Sequence, residues 1–444
     1  MSNKPFNGNG IPTNLNESSS TLYNDEYFQL LKKTLTEKNI VNNSREETKN
    51  LQKSLLYPYL EFFIRNDKND FYKKLFFNRG IAKNQNGNLK DNLNLIDLIK
   101  LRVHSDDLRA DGQQQRLIHQ DINKEEGMSF ISSGTTVGTN GPVNVFRSNI
   151  SLSLSRLTNG NLIDWSIGKT VDEGETLFHM APEMTNFLAF AAIGSDFLRD
   201  RGLGVRFGAK VNSGPADSTI WQRLGPDIKQ MKSFFKDKSS TKYFIASGVG
   251  LYKMFMEPKG IKKLMMKLAL SAPPVYLGDN GVLMIGGGLK RLPTTITSLD
   301  QIVKNTGDFI LAGNNKNAPP APVIDMLGLT ESLNVFIGVP TNPHSNDPWI
   351  KFPHPLTYTA LLKSPFDLTP VENPKEGEEY LLFYVNLMTL DYVEAIIPGD
   401  FVTATKDMDS IDTALGKRNI SQNGFVYSRR AEQSEGFKIR EGCG

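Results

Sequence analysis

Early in the chain, apolar residues recur at helical spacing; later they fall into short blocks. Leu30, Leu31 and Leu35 lie at such a spacing. So do Leu51, Leu55, Leu56, Leu60 and Phe63, and Leu93, Ile96, Leu98 and Ile99 follow behind them. This pattern predicts a helical region over residues 21–124, with the Asn-rich tract from Lys83 to Asn94 as a surface loop between two helices. From about residue 125 the pattern predicts strands at Met128–Ile131, Thr176–Met180, Tyr243–Ala246, Val282–Ile285, Val335–Val339, Tyr358–Leu362, Tyr380–Val385 and Tyr392–Ile397. Helical stretches, among them Ile228–Phe235 and Lys262–Leu270, fall between these strands. That alternation argues for an α/β sheet core over residues 125–405 rather than a bundle or a sandwich. No internal repeat of fixed period is present.

The two ends read differently. Residues 1–20 are rich in Asn, Ser and Gly and are expected to be disordered. Residues 406–444 carry many charges and one short apolar patch, Phe425 to Tyr427, and are expected to form a flexible C-terminal arm.

Composition narrows the class. The chain has 444 residues, 39% hydrophobic and 22% charged, which fits a soluble globular protein with a large core. The net charge is +3 with Lys and Arg dispersed, so nothing calls for nucleic acid or an anionic membrane as partner. The best apolar run, Phe187 to Ile193, falls well short of the roughly 20 residues that a membrane span needs. The polar start, Met1 to Gly10, has no apolar signal core, and a single cysteine fits a reducing cytoplasm. That residue, Cys443, is next to last, flanked by Gly442 and Gly444, and is expected to be an accessible thiol.

Four places carry candidate chemistry. The loop Ser132-Ser133-Gly134-Thr135-Thr136-Val137-Gly138 follows an apolar step and is uncharged. Its glycines let the backbone bend and present N–H groups, and its hydroxyls add donors, a combination that can wrap phosphate oxygens. No Lys-Ser/Thr follows its last glycine, so it is not the common nucleotide loop. Gly168-Lys169-Thr170 is no such loop either, because Ile163 stands where the first glycine is needed.

Downstream, Gly286-Gly287-Gly288 ends an apolar strand and allows close backbone approach to a flat ligand. The run Asp325-Met326-Leu327-Gly328-Leu329-Thr330-Glu331 turns at a glycine and then offers a hydroxyl and a carboxylate, suited to a phosphate oxygen and Mg²⁺. Last, Pro398-Gly399-Asp400 places a carboxylate just after the strand ending at Ile397, where it can take both hydroxyls of a ribose. Alone, each of these segments also reads as an ordinary turn.

Taken in order, they match the succession found in adenylate-forming enzymes. In detail the chain resembles the acyl-protein synthetase family, the fatty-acid-activating component of the bacterial luciferase-associated fatty acid reductase. The resemblance covers roughly residues 125–444. It rests on Ser132 to Thr136, Gly286 to Lys290, Asp325 to Glu331, Gly399-Asp400 and Gly442-Cys443-Gly444.

It implies the large N-terminal domain of an acyl-CoA synthetase-like fold, with an added helical region in front and without the usual C-terminal subdomain. It further implies that Ser132, Ser133, Gly134, Thr135 and Thr136 belong to the ATP loop, with Ser133, Thr135 and Thr136 on the β- and γ-phosphates. Gly286, Gly287 and Gly288 would line the adenine, beside Leu327 and Gly328. Thr330 would touch the α-phosphate, Glu331 would bind Mg²⁺ and Asp400 would grip the ribose. Arg429 would be the catalytic arginine after the last core strands, and His179, in Phe178-His179-Met180, would wall the acyl pocket.

Three positions depart from the family pattern. Leu327 stands for a Tyr that stacks on adenine, Val137 lengthens the loop before Gly138, and Ser428 replaces a glycine. The activity implied is ATP-dependent conversion of a fatty acid, or another carboxylic acid, to an acyl-adenylate. Transfer to Cys443 as a thioester and delivery to an acyl reductase partner would follow. An acyl- or aryl-CoA ligase and a non-catalytic nucleotide-binding homologue remain as alternatives.

Overall fold

Among the described residues of a computed structural model of the protein, a mixed sheet of 14 strands is the largest element. The structure describes residues 21–37, 39–65, 70–104, 116–119, 127–131, 144–171, 174–182, 202–214, 223–237, 241–257, 274–286, 298–329 and 331–431, with a few single residues between them.

One half of the sheet is parallel. Val323–Gly328, Val282–Gly286, Lys242–Ser247, Thr176–Pro182 and Gly204–Val211 lie side by side in that order. The apolar runs of the first four are buried on both faces, as parallel strands covered by helices require, while Gly204–Val211 is largely half-buried or exposed. Alternate residues separate cleanly. Leu177, Tyr243, Ile245, Val282, Met284 and Ile324 pack against Leu162, Ile163 and Trp165 of the helix Asn149–Ile167. Phe178, Phe244, Leu283, Ile285 and Val323 face the other way, onto the helices Ile228–Lys236 and Leu299–Gly307.

The other half is largely antiparallel. Val335–Gly338 turns back from Val323–Gly328, and Ile350–Phe352, Phe425–Arg430, Asp400–Ala404, Glu379–Asn386 and Ala395–Ile397 continue outward. The expected strands all form with small shifts in their ends, except that Tyr392–Ile397 shortens to Ala395–Ile397. The stretch Lys262–Leu270 lies outside the described residues.

The expected arm needs correcting over its described part. Residues 406–431 do not leave the domain: Ser410–Thr413 and Gly416–Asn419 form a hairpin, and Phe425–Arg430 is an interior strand between Ile350–Phe352 and Asp400–Ala404. Within the apolar patch Phe425 to Tyr427, Phe425 is buried, Val426 is half-buried on the opposite face and Tyr427 is exposed. Arg418 of the hairpin also closes the end of the Asn149–Ile167 helix. Its Nε donates to Ser166 O at 3.1 Å and its Nη2 to Ile167 O at 2.6 Å, satisfying carbonyls that a helix end leaves open.

The N-terminal helices Glu26–Glu37, Arg45–Arg65 and Phe71–Asn78 share one core with the antiparallel half. Tyr27, Tyr59, Phe62, Phe63, Tyr72 and Phe76 pack together against Leu381, Phe383, Val385, Ala395 and Ile397. Their phenols also reach backbone: Tyr27 donates to Leu387 O at 2.5 Å, and Tyr59 accepts from Glu394 N at 2.9 Å. Among the described residues no helix is long and apolar enough to cross a membrane.

Candidate functional site

The parallel strands run their carboxyl ends to one edge, which is where open α/β sheets place ligands. Gly286 ends Val282–Gly286 at that edge, directly beside Met326, and both Leu327 and Gly328 follow on the next strand. The structure thus brings together two segments more than thirty residues apart in sequence. Leu327 is half-buried and packs with Leu329, Phe336, Tyr384, Val402 and Phe425.

Beyond Gly328 the chain turns, and this turn is firmly held. Leu333 packs with Phe130 and Leu152, which joins the turn to the hairpin Gly127–Ile131/Asn144–Ser148. Asn159 adds two bonds: its Nδ2 donates to Leu333 O at 3.1 Å and its Oδ1 accepts from Val335 N at 3.3 Å. Glu331 is buried in the turn, 5% exposed. Its carbonyl accepts from Arg147 Nη2 at 2.6 Å and from Tyr392 OH at 2.8 Å. Residues 132–143, between the two strands of that hairpin in sequence, lie outside the described residues.

Asp400 opens the strand Asp400–Ala404 and is 2% exposed. Burial pushes its carboxyl up to about 6; Arg430 opposes the shift and the nearby charge of Glu331 adds to it. Glu331 and Asp400 are therefore electrostatic neighbours. Asp400 Oδ1 stands 3.3 Å from Arg430 Nη1, whose Nη2 also donates to Pro398 O at 3.0 Å. Among the described residues, Asp400 Oδ2 is buried and makes no hydrogen bond. A buried carboxylate oxygen without a donor is costly, and a ligand hydroxyl is one donor that can satisfy it.

Tyr427 lies on the neighbouring strand, opposite Val402 and 37% exposed. Burial pushes its phenol up to about 12, with the charge of Asp400 adding to the shift. Sequence reasoning passed over both Tyr427 and Arg430. The signal was the arginine pair itself: two adjacent arginines on a strand point to opposite sides, and only one can face Asp400.

Arg429 is not brought to Asp400. It is 41% exposed at its side chain and pairs with Glu379, Nη2 to Oε1 at 2.8 Å, while its guanidinium lies 4.2 Å from the Phe401 ring centroid. The register shift between Phe401 and Val402 sets which arginine faces the carboxylate. His179 sits on Thr176–Pro182 between Ile245 and Phe207, 1% exposed, and burial lowers its imidazole to about 4. It is a neutral side chain at neutral pH. Ser132, Ser133, Gly134, Thr135, Thr136, Gly287, Gly288, Thr330 and Cys443 lie outside the described residues.

One buried ion pair borders the edge. Lys351 reaches Asp325 on the same face, two strands away, with Gly338 between them. A Cβ at Gly338 would stand 2.8 Å from Asp325 O, so the missing side chain leaves the lysine its path.

The mixed sheet and its helices share the fold of solved structures of 2-hydroxyisobutyryl-CoA ligase. One, in complex with 2-HIB-AMP and CoA in the thioesterification state, matches over 90% of this chain and 75% of its own, at 14% identity and a TM-score of 0.54. An open conformation of that ligase, in complex with 2-HIB-AMP and CoA, matches over 87% and 71%, at 15% identity and a TM-score of 0.50. No protein-family model and no curated protein sequence matches the chain.

Proposed function

We propose that the protein activates a fatty acid, or another carboxylic acid, with ATP as an acyl-adenylate and then carries the acyl group on Cys443 as a thioester. The observation that supports this reading is that Gly286 pairs beside Met326, next to Leu327 and Gly328, and that Glu331, in the turn that follows, is an electrostatic neighbour of Asp400, in a fold shared with 2-hydroxyisobutyryl-CoA ligase. The finer match to acyl-protein synthetases rests on the resemblance of the motifs, including Gly442-Cys443-Gly444.

In the first half-reaction a carboxylate oxygen attacks the α-phosphorus of ATP, an O–P bond forms, and pyrophosphate leaves. Ser133, Thr135 and Thr136 hold the β- and γ-phosphates within the loop Ser132 to Thr136, and Thr330 holds the α-phosphate. Asp400 takes the ribose hydroxyls through Oδ2, and Arg430 keeps that carboxylate ionised. Gly286, Gly287 and Gly288 leave room for the adenine. Leu327 gives it an aliphatic wall, and the half-exposed ring of Tyr427, rather than a tyrosine at Leu327, supplies the aromatic face.

Mg²⁺ suits a site made of one carboxylate and substrate phosphates, because it keeps several waters and needs few protein ligands. Glu331 would hold it, and the ion would neutralise phosphate charge. The protein's own contribution is positioning and preorganised donors.

In the second half-reaction the Cys443 thiolate attacks the acyl carbonyl, the S–C bond forms, and AMP leaves with the electron pair of the broken C–O bond. An acyl reductase then takes the acyl group. His179, neutral and buried, would contribute shape to the acyl pocket and no proton.

The deciding experiment is incubation with labelled fatty acid and Mg·ATP. Hydroxylamine-sensitive label on the protein, absent in Cys443→Ser, supports the proposal. A second reading, an acyl-CoA ligase, is favoured by the likeness to 2-hydroxyisobutyryl-CoA ligase. It takes over if added coenzyme A becomes acylated and the protein never does. Absence of acid-dependent pyrophosphate release with every acid tried would sink both.

A further inference from the structure

Arg147 is 1% exposed and belongs to a strand that sequence reading did not single out. Its Nη2 lies within hydrogen-bond distance of three acceptors: Glu331 O at 2.6 Å, Glu394 Oε2 at 2.7 Å and Tyr392 OH at 3.0 Å. Its Nη1 is 3.8 Å from Asp391 Oδ2, and its guanidinium carbon lies 4.7 Å from the Tyr392 ring centroid. The Tyr392 hydroxyl donates to the same Glu331 carbonyl at 2.8 Å.

Glu394 is itself held by Thr389 Oγ1 at 2.5 Å and Asn386 Nδ2 at 3.2 Å, and Asp391 Oδ1 accepts from Ser148 N at 3.2 Å. Stability alone is a weak reason for such a cluster. Desolvating an arginine and two carboxylates costs several kcal/mol per ion, and well-packed apolar side chains often do as well or better. What an apolar core would not supply is a directed bond to one carbonyl.

The topology says what that bond joins. Arg147 lies on Asn144–Ser148, the second strand of the separate hairpin Gly127–Ile131/Asn144–Ser148, and Glu331 lies in the turn beyond Val323–Gly328. The two residues are 184 apart in sequence. We propose that Arg147 is a positioning residue that sets the backbone of Glu331 against the loop-bearing hairpin, with Tyr392 as its second donor and Glu394 as its anchor. The proposal rests on the adenylating reading for the role of Glu331 as the Mg²⁺ ligand. It assigns the geometry of that ligand to a side chain that touches neither nucleotide nor metal. Outer partners of metal ligands commonly change metal affinity 10–100-fold when removed.

The test uses the full chain and the variants Arg147→Met, Arg147→Lys and Tyr392→Phe. Two quantities are read against Mg²⁺ concentration: acid-dependent ATP–pyrophosphate exchange, and binding of Mg·ATP by calorimetry without any acid. The expected result is a rise on the order of tenfold in the Mg²⁺ needed for half-maximal signal in Arg147→Met. Tyr392→Phe should shift the same way by less, Arg147→Lys should recover part of the loss, and KM for the acid should hold.

Unchanged Mg²⁺ dependence in folded Tyr392→Phe and Arg147→Lys overturns the proposal and leaves Arg147 a packing residue. If Arg147→Met does not fold, those two variants decide. Wild-type protein that binds Mg·ATP without exchanging pyrophosphate removes the adenylating reading, while the binding measurement still judges Arg147. Wild-type protein that binds no Mg·ATP overturns both.

Discussion

Arg430 and Asp400 face each other at the ends of neighbouring strands, Nη1 to Oδ1 at 3.3 Å, and Arg429 turns away to Glu379. The pair predicts opposite outcomes for adjacent substitutions. Arg429→Ala should cost no more than about 1 kcal/mol, the scale of an exposed ion pair, and leave Mg·ATP binding intact. Arg430→Ala should weaken Mg·ATP binding on the order of tenfold, the effect of losing about 1.4 kcal/mol, because it strips the buried carboxylate of its cation. Titration calorimetry and urea unfolding on both variants check this, and the reverse pattern would return the site to Arg429.

Asp400 should trade stability for function as pH rises. Its folded value of about 6 lies above its ordinary 3.8, so between these pH values the folded protein holds a proton that the unfolded chain has released. Its favourable contribution is complete below about pH 4 and is lost as pH rises through 6. Asp400→Asn should therefore match wild type near pH 4, exceed it at pH 8 by up to roughly 3 kcal/mol, and lose nucleotide binding. Unfolding curves at the two pH values give the answer; equal gains at both would refute it.

The imidazoles should act in the opposite sense. Burial lowers His179 to about 4 and His354 to about 3, so both stay neutral in the folded protein while unfolded histidines protonate near 6.5. Their contribution is present above about pH 6.5 and disappears as pH falls toward the folded values. Proton NMR should show no titration of either ring between pH 8 and 5.5, and His179→Phe should flatten the acid limb of the stability curve. A ring that titrates near 6.5 would contradict the burial.

Gly338 and Lys351 give a prediction about packing. Gly338→Ala places a methyl 2.8 Å from Asp325 O and in the path of the lysine, and should cost about 1–3 kcal/mol as an overpacked site does. Lys351→Met should cost more, roughly 3–5 kcal/mol, because Asp325 is left as an unpaired buried charge. Adding Asp325→Leu should recover much of that loss. Strict additivity in this double-mutant cycle would mean the pair is not coupled.

Legibility from sequence followed the range of the interactions. Tyr243–Ala246 and Val282–Ile285 were readable because strands covered on both faces leave unbroken apolar runs. The helix Asn149–Ile167 was not, because its opening Ile150-Ser151-Leu152-Ser153-Leu154 alternates like a strand and its polar residues Ser151, Arg156, Asn159 and Ser166 are buried. Only its ends gave it away: Ser148 caps it with a bond from Ser151 N, and Gly168 closes it at φ +84°.

The site divides along the same line. Gly286, Gly328, Glu331 and Asp400 stand in local motifs, whereas Arg147 is tied to Glu331 only by tertiary pairing. Arg430 was one residue from the expected arginine, and a β-bulge, which no local pattern announces, determines the side it faces.

The strand Phe425–Arg430 fills the gap between Ile350–Phe352 and Asp400–Ala404, so the last described strand of the chain closes the middle of its sheet. On the ribosome, every other described strand of the sheet is made before this one. Until it emerges, two strand edges stand open and invite pairing with the wrong neighbour. Synthesis should thus leave the protein dependent on chaperones until this strand emerges, and a stop codon before residue 425 should give an aggregate rather than a shortened, folded protein.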